Sequence, residues 1–151
     1  MTYSEDVIKL NPGIGLPKPK RGKKTDRQKI EVMLDKLFSE FVRRRAMQRV
    51  GGCERCGSNK TDYKQLQCSH FIGRSTKQTR WHEDNGSGLC GGCHMYLEHH
   101  PHEHEAWMKE RLGEAGFDLL TAQSCERGTV DVAGLILVHT QELKKLKEVS
   151  E

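Results

Sequence analysis

Apolar residues recur at helical spacing after Thr25 and predict one long amphipathic helix over residues 25–52. Thr25 and Gln28 fit a capping box at its start. Gly51 and Gly52 supply the stop, because glycine favours the backbone conformations that end a helix. The residues expected on the buried face are Ile30, Met33, Leu34, Leu37, Phe38, Phe41 and Val42.

The apolar pattern in the rest of the chain predicts shorter helices around a cysteine-rich middle. Residues 101–123 are expected to form one or two helices, interrupted at Gly113 and Gly116. Residues 130–149 favour a helix, although the apolar run 133–138 is also short enough for a buried strand.

The chain therefore divides into four expected segments. They are an N-terminal arm (1–24), the amphipathic helix (25–52), a cysteine- and histidine-rich core (53–123) and a C-terminal helical segment (124–151). Trp81 and Trp107 are expected to pack inside the core rather than to stack on bases.

Composition and charge narrow the class of protein. Of the 151 residues, 34% are hydrophobic and 30% are charged, so the core is modest and a metal or disulfide staple is expected. The formal charge is +4, and residues 11–24 contain five Lys or Arg with three Pro and three Gly. This stretch predicts a flexible basic arm along a phosphate backbone, with a solvated linker as the alternative.

No apolar run is long enough to cross a bilayer, and the N-terminus has no signal-peptide pattern. The expected location is therefore the cytoplasm, with no membrane partner. In a reducing compartment, paired cysteines bind metal more often than they form disulfides.

Two C-x2-C pairs predict a structural zinc site. Cys53 with Cys56, and Cys90 with Cys93, can together place four thiolates around one ion. Thirty-three residues separate the pairs, more than a plain zinc ribbon needs, so the insert is expected to carry a further function. The remaining Cys68 and Cys125 are expected to be small buried residues.

The insert resembles the zinc-stapled HNH nucleases. His70 lies between the two pairs, Asn85 stands five residues before Cys90, and His94 directly follows Cys93. The segment 53–113 is also similar to the NinG (Rap) recombination nucleases of lambda-like phages. That likeness rests on the step from Arg80-Trp81 to Asn85 and on Gly113, twenty residues past Cys93.

The resemblance implies an α+β fold. Its core would be a small zinc-stapled ββα-metal finger, HNH- or treble-clef-like, flanked by α-helices. It also implies a metal-dependent DNA endonuclease that acts on branched or recombination DNA intermediates. Such an enzyme would be encoded by a phage or prophage and work in the cytoplasm of the bacterial host.

The same resemblance implies roles for individual residues. His70 would be the general base, Asn85 would orient it, and His94 would bind a catalytic Mg²⁺ or Mn²⁺. Many HNH enzymes have a metal-binding acid just before the first histidine, where this chain has Ser69. The second ligand is therefore open among Glu98, His99, Glu83 and Asp84. Glu98 is slightly favoured because it lies one helical turn beyond His94.

Basic residues along the chain are expected to contact DNA. These are Lys20, Arg21, Lys23, Lys24, Arg43, Arg44, Arg45, Arg74 and Arg80. Arg74 and Arg80 lie in the insert and could clamp phosphates through their guanidinium groups. The histidine-rich tract 99–104 is expected to be a surface turn around Pro101.

Three functions remain open from the sequence. The first is the nuclease, acting as a homodimer if the helix at 25–50 is an interface. The second is a non-catalytic zinc-finger protein that binds DNA or serves as an adaptor. The third is a small partner-binding protein whose histidine tract takes up metal.

Overall fold

The fold is known from a computed structural model that describes residues 22–149. Most of the basic arm, with Lys20 and Arg21, lies outside the described residues. The elements are α1 (Asp26–Val50), β1 (Gln67–His70), α2 (Lys77–Arg80), β2 (Gly86–Leu89), α3 (Gly91–His99), α4 (Pro101–Ser124) and α5 (Val132–Val149). Short 3₁₀ turns at Tyr63–Gln65 and Glu83–Asn85 precede the two strands.

Both ends of α1 lie where the local sequence predicts them. The Thr25 hydroxyl accepts from the Gln28 amide at 3.3 Å, and the Gln28 side chain accepts from the Thr25 amide at 2.9 Å. After Val50, Gly51 takes a left-handed conformation with φ of 66°, which ends the helix. The capping box and the glycine stop are therefore confirmed.

The buried face of α1 is rotated from the expected one. The stripe that it buries runs through Glu31, Leu34, Phe38, Phe41, Val42, Arg45 and Ala46. Ile30 and Met33 lie beside this stripe and are 44% and 47% exposed, so their placement in the core was wrong. The shift brings two charged residues, Glu31 and Arg45, into the interior, where each finds partners.

The two strands pair antiparallel and lie directly on α1. The register places Ser69 opposite Ser87 and His70 opposite Gly86. A Cβ on Gly86 would come within 2.7 Å of the Val42 side chain, so glycine is required for the strand to approach the helix this closely. The hairpin thus positions His70 against the helix.

The helices that follow differ in detail from the expected pattern. Residues Pro101–Ser124 form one helix that is interrupted at Gly113, where φ is 71°, whereas Gly116 does not break it. The stretch 133–138 lies inside α5, so the strand alternative is wrong. The helix buries His139, Leu143 and Leu146, which recur at helical spacing.

The interior divides into a core between α1 and α5 and a second core beneath the cysteines. Trp81, 2% exposed, belongs to the first core, and the partly buried Trp107 packs against the second. Cys68 is partly buried, but Cys125 is exposed at the end of α4, so its burial was wrongly predicted. No described helix is both long and apolar enough to cross a membrane.

Candidate functional site

The four paired cysteines converge on one point. Their sulfur atoms all lie within 4.8 Å of one another, and the Cys56 and Cys90 sulfurs are 3.9 Å apart. A tetrahedral zinc with Zn–S bonds of about 2.3 Å needs sulfur separations of about 3.8 Å. The geometry therefore fits one zinc ion, and the predicted metal cluster is confirmed as a possible site.

The backbone around the cluster has the tight turns that metal binding needs. Gly57, with φ of 68°, donates its amide to the Cys53 carbonyl at 2.9 Å and closes the first turn. On the other side, Cys90 caps α3, and its sulfur accepts from the Cys93 amide at 3.4 Å. The cluster thus joins the end of α1, the end of β2 and the start of α3.

The thiols of this cluster differ in acidity. Hydrogen bonding with Ser58 lowers the pKa of Cys56 to about 6. Burial raises the pKa of Cys93 to about 12. Crowded thiols of this kind ionise together only when a cation neutralises them, which is the chemistry of a thiolate metal site.

His70 is held by one ring nitrogen and is open at the other. Its Nε2 lies 2.9 Å from the carbonyl oxygen of Arg80. A carbonyl only accepts, so Nε2 carries the proton. Nδ1 then has the lone pair, has no hydrogen-bond partner among the described residues, and is not fully buried. Burial lowers the pKa of His70, so the neutral ring is favoured near pH 7.

Asn85 ties together the loop that holds His70. Its side-chain oxygen accepts from the Ile72 amide at 2.7 Å, and its amide group donates to the carbonyls of Ile72 and Thr79, both at 2.9 Å. The residue is fully buried. Asn85 therefore acts on His70 indirectly, by closing the loop 71–80 that supplies the Arg80 carbonyl.

His94 and Glu98 lie on the same face of α3. The His94 Nε2 is 3.8 Å from a Glu98 carboxylate oxygen, while its Nδ1 contacts the Gln67 side-chain oxygen at 2.6 Å. The Gln67 contact places the proton on Nδ1 and leaves the lone pair of Nε2 beside the carboxylate. Gln67 has no counterpart among the expected site residues.

These groups share a cleft of about 340 Å³ with His70 and Arg74. Of the four candidates for a second ligand, Glu98 lines this cleft with His94, whereas His99, Glu83 and Asp84 do not. Among the residues that the structure describes, the cysteines form the one group of three or more ligand atoms within 4.8 Å of one another. His94 and Glu98 therefore offer a two-residue site.

The arginines of α1 have different surroundings. Arg45 is 4% exposed and donates to the carbonyls of Glu83 and Gly86 at 2.9 and 2.7 Å. Its expected DNA contact is therefore wrong, because the buried guanidinium fastens β2 to the helix. Arg43 and Arg44 lie against the ring of Tyr63, at 5.2 and 4.0 Å from its centre.

The two arginines of the insert also differ. Arg80 pairs with Asp35 through two bonds of 2.9 and 2.5 Å, so its guanidinium is engaged rather than free to clamp a phosphate. Arg74 is exposed and lines the cleft, and Lys23 and Lys24 are exposed before α1.

The histidine tract 99–104 spans the junction between α3 and α4, where His100 is non-helical with φ of −128° and ψ of 70°. Pro101 begins α4, which leaves His99, His100 and His102 exposed and brings His104 into the cleft. The surface-turn expectation is therefore wrong for His104. The sequence did contain one indication that His104 faces inward. Met108, which is fully buried, follows it by four residues, so the two side chains lie on the same face of a helix.

No protein-family model, curated protein or solved structure matches the chain. The fold and the site define an α+β protein with a two-stranded antiparallel sheet and flanking helices. Its four-cysteine cluster could bind a metal ion, and the donor set is consistent with structural zinc.

Proposed function

We propose that the protein is a zinc-stabilised, metal-dependent DNA endonuclease of the HNH type, which hydrolyses phosphodiester bonds. The main support is the convergence of His70, His94 and Glu98 on one cleft beside the cysteine cluster. Residues from β1 and α3 meet there because the cluster joins the hairpin to the helix.

The arrangement of His70 suits a general base. The Arg80 carbonyl fixes the protonated Nε2 and leaves Nδ1 free to take a proton from water. The lowered pKa keeps this nitrogen unprotonated near neutral pH, as a base must be before it reacts. Asn85 is a positioning residue, because its hydrogen bonds hold the loop that carries Arg80.

His94 and Glu98 would hold Mg²⁺ or Mn²⁺. A neutral imidazole nitrogen and a carboxylate oxygen, 3.8 Å apart, form a donor pair that suits such an ion. When bound, the metal would neutralise charge on the scissile phosphate and stabilise the leaving oxygen. The contact from Gln67 keeps the imidazole of His94 in the orientation that faces Glu98.

The order of elements supports the HNH assignment. A hairpin is followed directly by α3, and Cys90 and Cys93 lie where β2 meets α3, with Cys53 and Cys56 supplied from just after α1, as in the ββα-metal finger of that class. The preference for branched or recombination DNA, the phage origin and the bacterial cytoplasm rest on the likeness to the NinG family.

Positive charge near the cleft supports a DNA substrate. Three arginines act electrostatically on the thiol of Cys68, which lines the cleft. Burial raises the pKa of this thiol to about 12, and the positive charges of Arg43, Arg45 and Arg74 oppose that rise. Of these, Arg43 is partly exposed and Arg74 is exposed. These two, with Arg44, Lys23, Lys24 and the basic arm, would contact the phosphate backbone.

A homodimer would account for paired cuts at a junction. Ile30 and Met33 present apolar surface on α1, and Leu137 and Val138 do so on α5. Sedimentation of the wild-type chain beside a Met33→Lys variant tests this. A monomer at all concentrations would exclude the dimer.

A non-catalytic zinc-finger protein is the second candidate. Ser69, at the position of the family's acid, is 2% exposed, and among the described residues no cluster of three metal-ligand atoms lies in the cleft. Such a protein would bind DNA and leave it intact.

One experiment separates the two candidates. Plasmid and four-way-junction DNA are incubated with the protein in Mg²⁺, in Mn²⁺ and in chelator, beside His70→Ala and the surface control His102→Ala. The nuclease predicts metal-dependent cutting that His70→Ala abolishes and His102→Ala retains. Tight binding without cutting in either metal would support the non-catalytic protein instead.

A further inference from the structure

His104 is a polar group of the cleft for which the proposed mechanism has no role. The residue is 8% exposed, and its ring makes no hydrogen bond to any residue in the described part of the chain. Neither ring nitrogen is fully buried, and the residue lines the cleft with His70, Arg74 and His94. Its polar atoms therefore have access to the cleft.

Aromatic packing holds the His104 ring in place. Phe71 meets it edge to face with ring centres 5.1 Å apart, and Trp107 lies at 6.2 Å. Such packing leaves the ring few orientations but gives its nitrogens no partner. The ring nitrogens are therefore free to hydrogen-bond a ligand that enters the cleft.

The position of His104 separates it from the His94–Glu98 pair. These two ligand atoms are 3.8 Å apart, yet no set of three that includes His104 lies within 4.8 Å among the described residues. His104 is therefore not part of a three-ligand metal cluster with His94 and Glu98. A phosphodiester has two non-bridging oxygens, so one could lie at the His94–Glu98 pair while the other accepts from His104.

The charge of the cleft also favours an anion. Arg74 is exposed at its edge, whereas the carboxylate of Asp35 is neutralised by Arg80. Glu98 is the remaining acid of the lining, and its side chain is 66% exposed.

We propose that His104 binds the substrate phosphodiester, donating an imidazole N–H to a phosphate oxygen other than the one at the His94–Glu98 pair. The inference rests on the proposed nuclease function. It adds a substrate contact from α4 to residues that come from β1 and α3.

Matched variants of the full chain test this role. His104→Phe keeps the aromatic packing without a donor, His104→Gln keeps an N–H donor, and His102→Phe is the exposed control on the same helix. Each is measured for kcat and KM on plasmid DNA with Mg²⁺. In a His70→Ala background with Ca²⁺, each is measured for the Kd of a short duplex, and Mn²⁺ affinity is measured by calorimetry.

The expected result is a loss of about 10- to 100-fold in kcat/KM or in duplex affinity for His104→Phe, the range for a lost hydrogen bond to a charged group. His104→Gln should stay within about fivefold of wild type, and Mn²⁺ affinity should not change. A His104→Phe protein within twofold of wild type in both assays would make the residue a packing element. A loss of Mn²⁺ affinity would make it a metal ligand. Either result overturns the proposal.

A second measurement keeps the test independent of folding and of cutting. In the wild-type chain with Ca²⁺, the ring-nitrogen NMR signals of His104, assigned by their loss in His104→Gln, should shift when the short duplex is added. Absence of a shift under saturating duplex overturns the proposal. If the wild type cuts no DNA in any metal, the nuclease function fails, while this shift still decides the role of His104.

Discussion

The Nε2 atom of His70 donates to the carbonyl oxygen of Arg80, 2.9 Å away, and the side chain of Arg80 is in turn bound by Asp35. Asp35 also accepts from the Trp81 indole at 2.8 Å. One carboxylate of α1 therefore fixes Arg80, whose carbonyl orients the candidate base, and the adjacent Trp81.

Asp35→Asn should consequently lower kcat by about tenfold with little change in KM, because a misplaced base loses catalytic geometry. The Asp35 charge raises the pKa of His70, so its removal should move the acid limb of the pH–rate profile to lower pH. Asp26→Asn, which affects an exposed pair with Lys29, is the control. An unmoved acid limb would show that Asp35 has a purely structural role.

Removal of the metal should unfold the region around the cysteines. We expect about one zinc per chain by elemental analysis, and Cys90→Ser or strong chelation should lower the Tm by roughly 10 °C or more. The matched variant is Cys125→Ser, since that cysteine is exposed and lies outside the cluster. A purified protein without zinc and with an unchanged Tm would contradict the prediction.

Arg74 and Arg45 should respond in opposite ways. Arg74→Ala should weaken duplex binding and reduce the salt dependence of binding by about one ion, without changing the Tm, because its side chain is exposed. Arg45→Ala should lower the free energy of unfolding by about 3 kcal/mol, because two backbone carbonyls lose a buried charged donor. Salt titrations of binding and denaturant melts measure these effects. Equal effects of both variants on stability would contradict the assignment of Arg45 as a buried structural residue and of Arg74 as a surface residue that contacts DNA.

Acid sensitivity should depend in part on His139. Burial lowers the pKa of this residue below its usual value of 6.5, and its Nε2 donates to the Trp81 carbonyl at 3.1 Å. The unfolded chain therefore takes up the proton more readily. The contribution of neutral His139 to the free energy of unfolding is therefore full above about pH 6.5. It is lost as the pH falls through the lowered pKa of His139 in the folded protein.

His139→Gln keeps a donor for Trp81 but does not titrate. The difference in unfolding free energy between pH 7 and pH 5 should be smaller in this variant than in the wild type. Part of the difference should remain, because burial also lowers the pKa values of His70 and His104. An identical pH dependence in the two proteins would rule out a contribution from His139.

Local features of the chain were predictable from sequence. The capping box at Thr25 and the stop at Gly51 depend on residues within four positions of each other, so their pattern determines their geometry. The cysteine pairs are similar, because C-x2-C spacing forms one turn that can hold a metal from one side. The proximity of Glu98 to His94 followed from the helical repeat.

Residues whose partners are distant in sequence were not predictable. In the sequence, Arg45 cannot be distinguished from Arg43 and Arg44, because all three belong to one basic run. Its hydrogen-bond partners in the structure lie 38 and 41 residues away. Asp35 belongs to no sequence motif that would indicate a role, and its partners Arg80 and Trp81 lie 45 and 46 residues away in the chain. Nothing in the local spacing indicates such pairs.

The sequence by itself determined the ends of α1 and the two C-x2-C pairs of the possible metal site, because each depends on neighbouring residues. Only the tertiary structure decided which face of α1 is buried, which arginines remain exposed and which histidines share the cleft. That decision depends on how closely β2 approaches α1. Gly86 permits this approach, and in the packed structure Arg45 binds the Gly86 carbonyl while His70 lies opposite Gly86 and beside the Arg80 carbonyl.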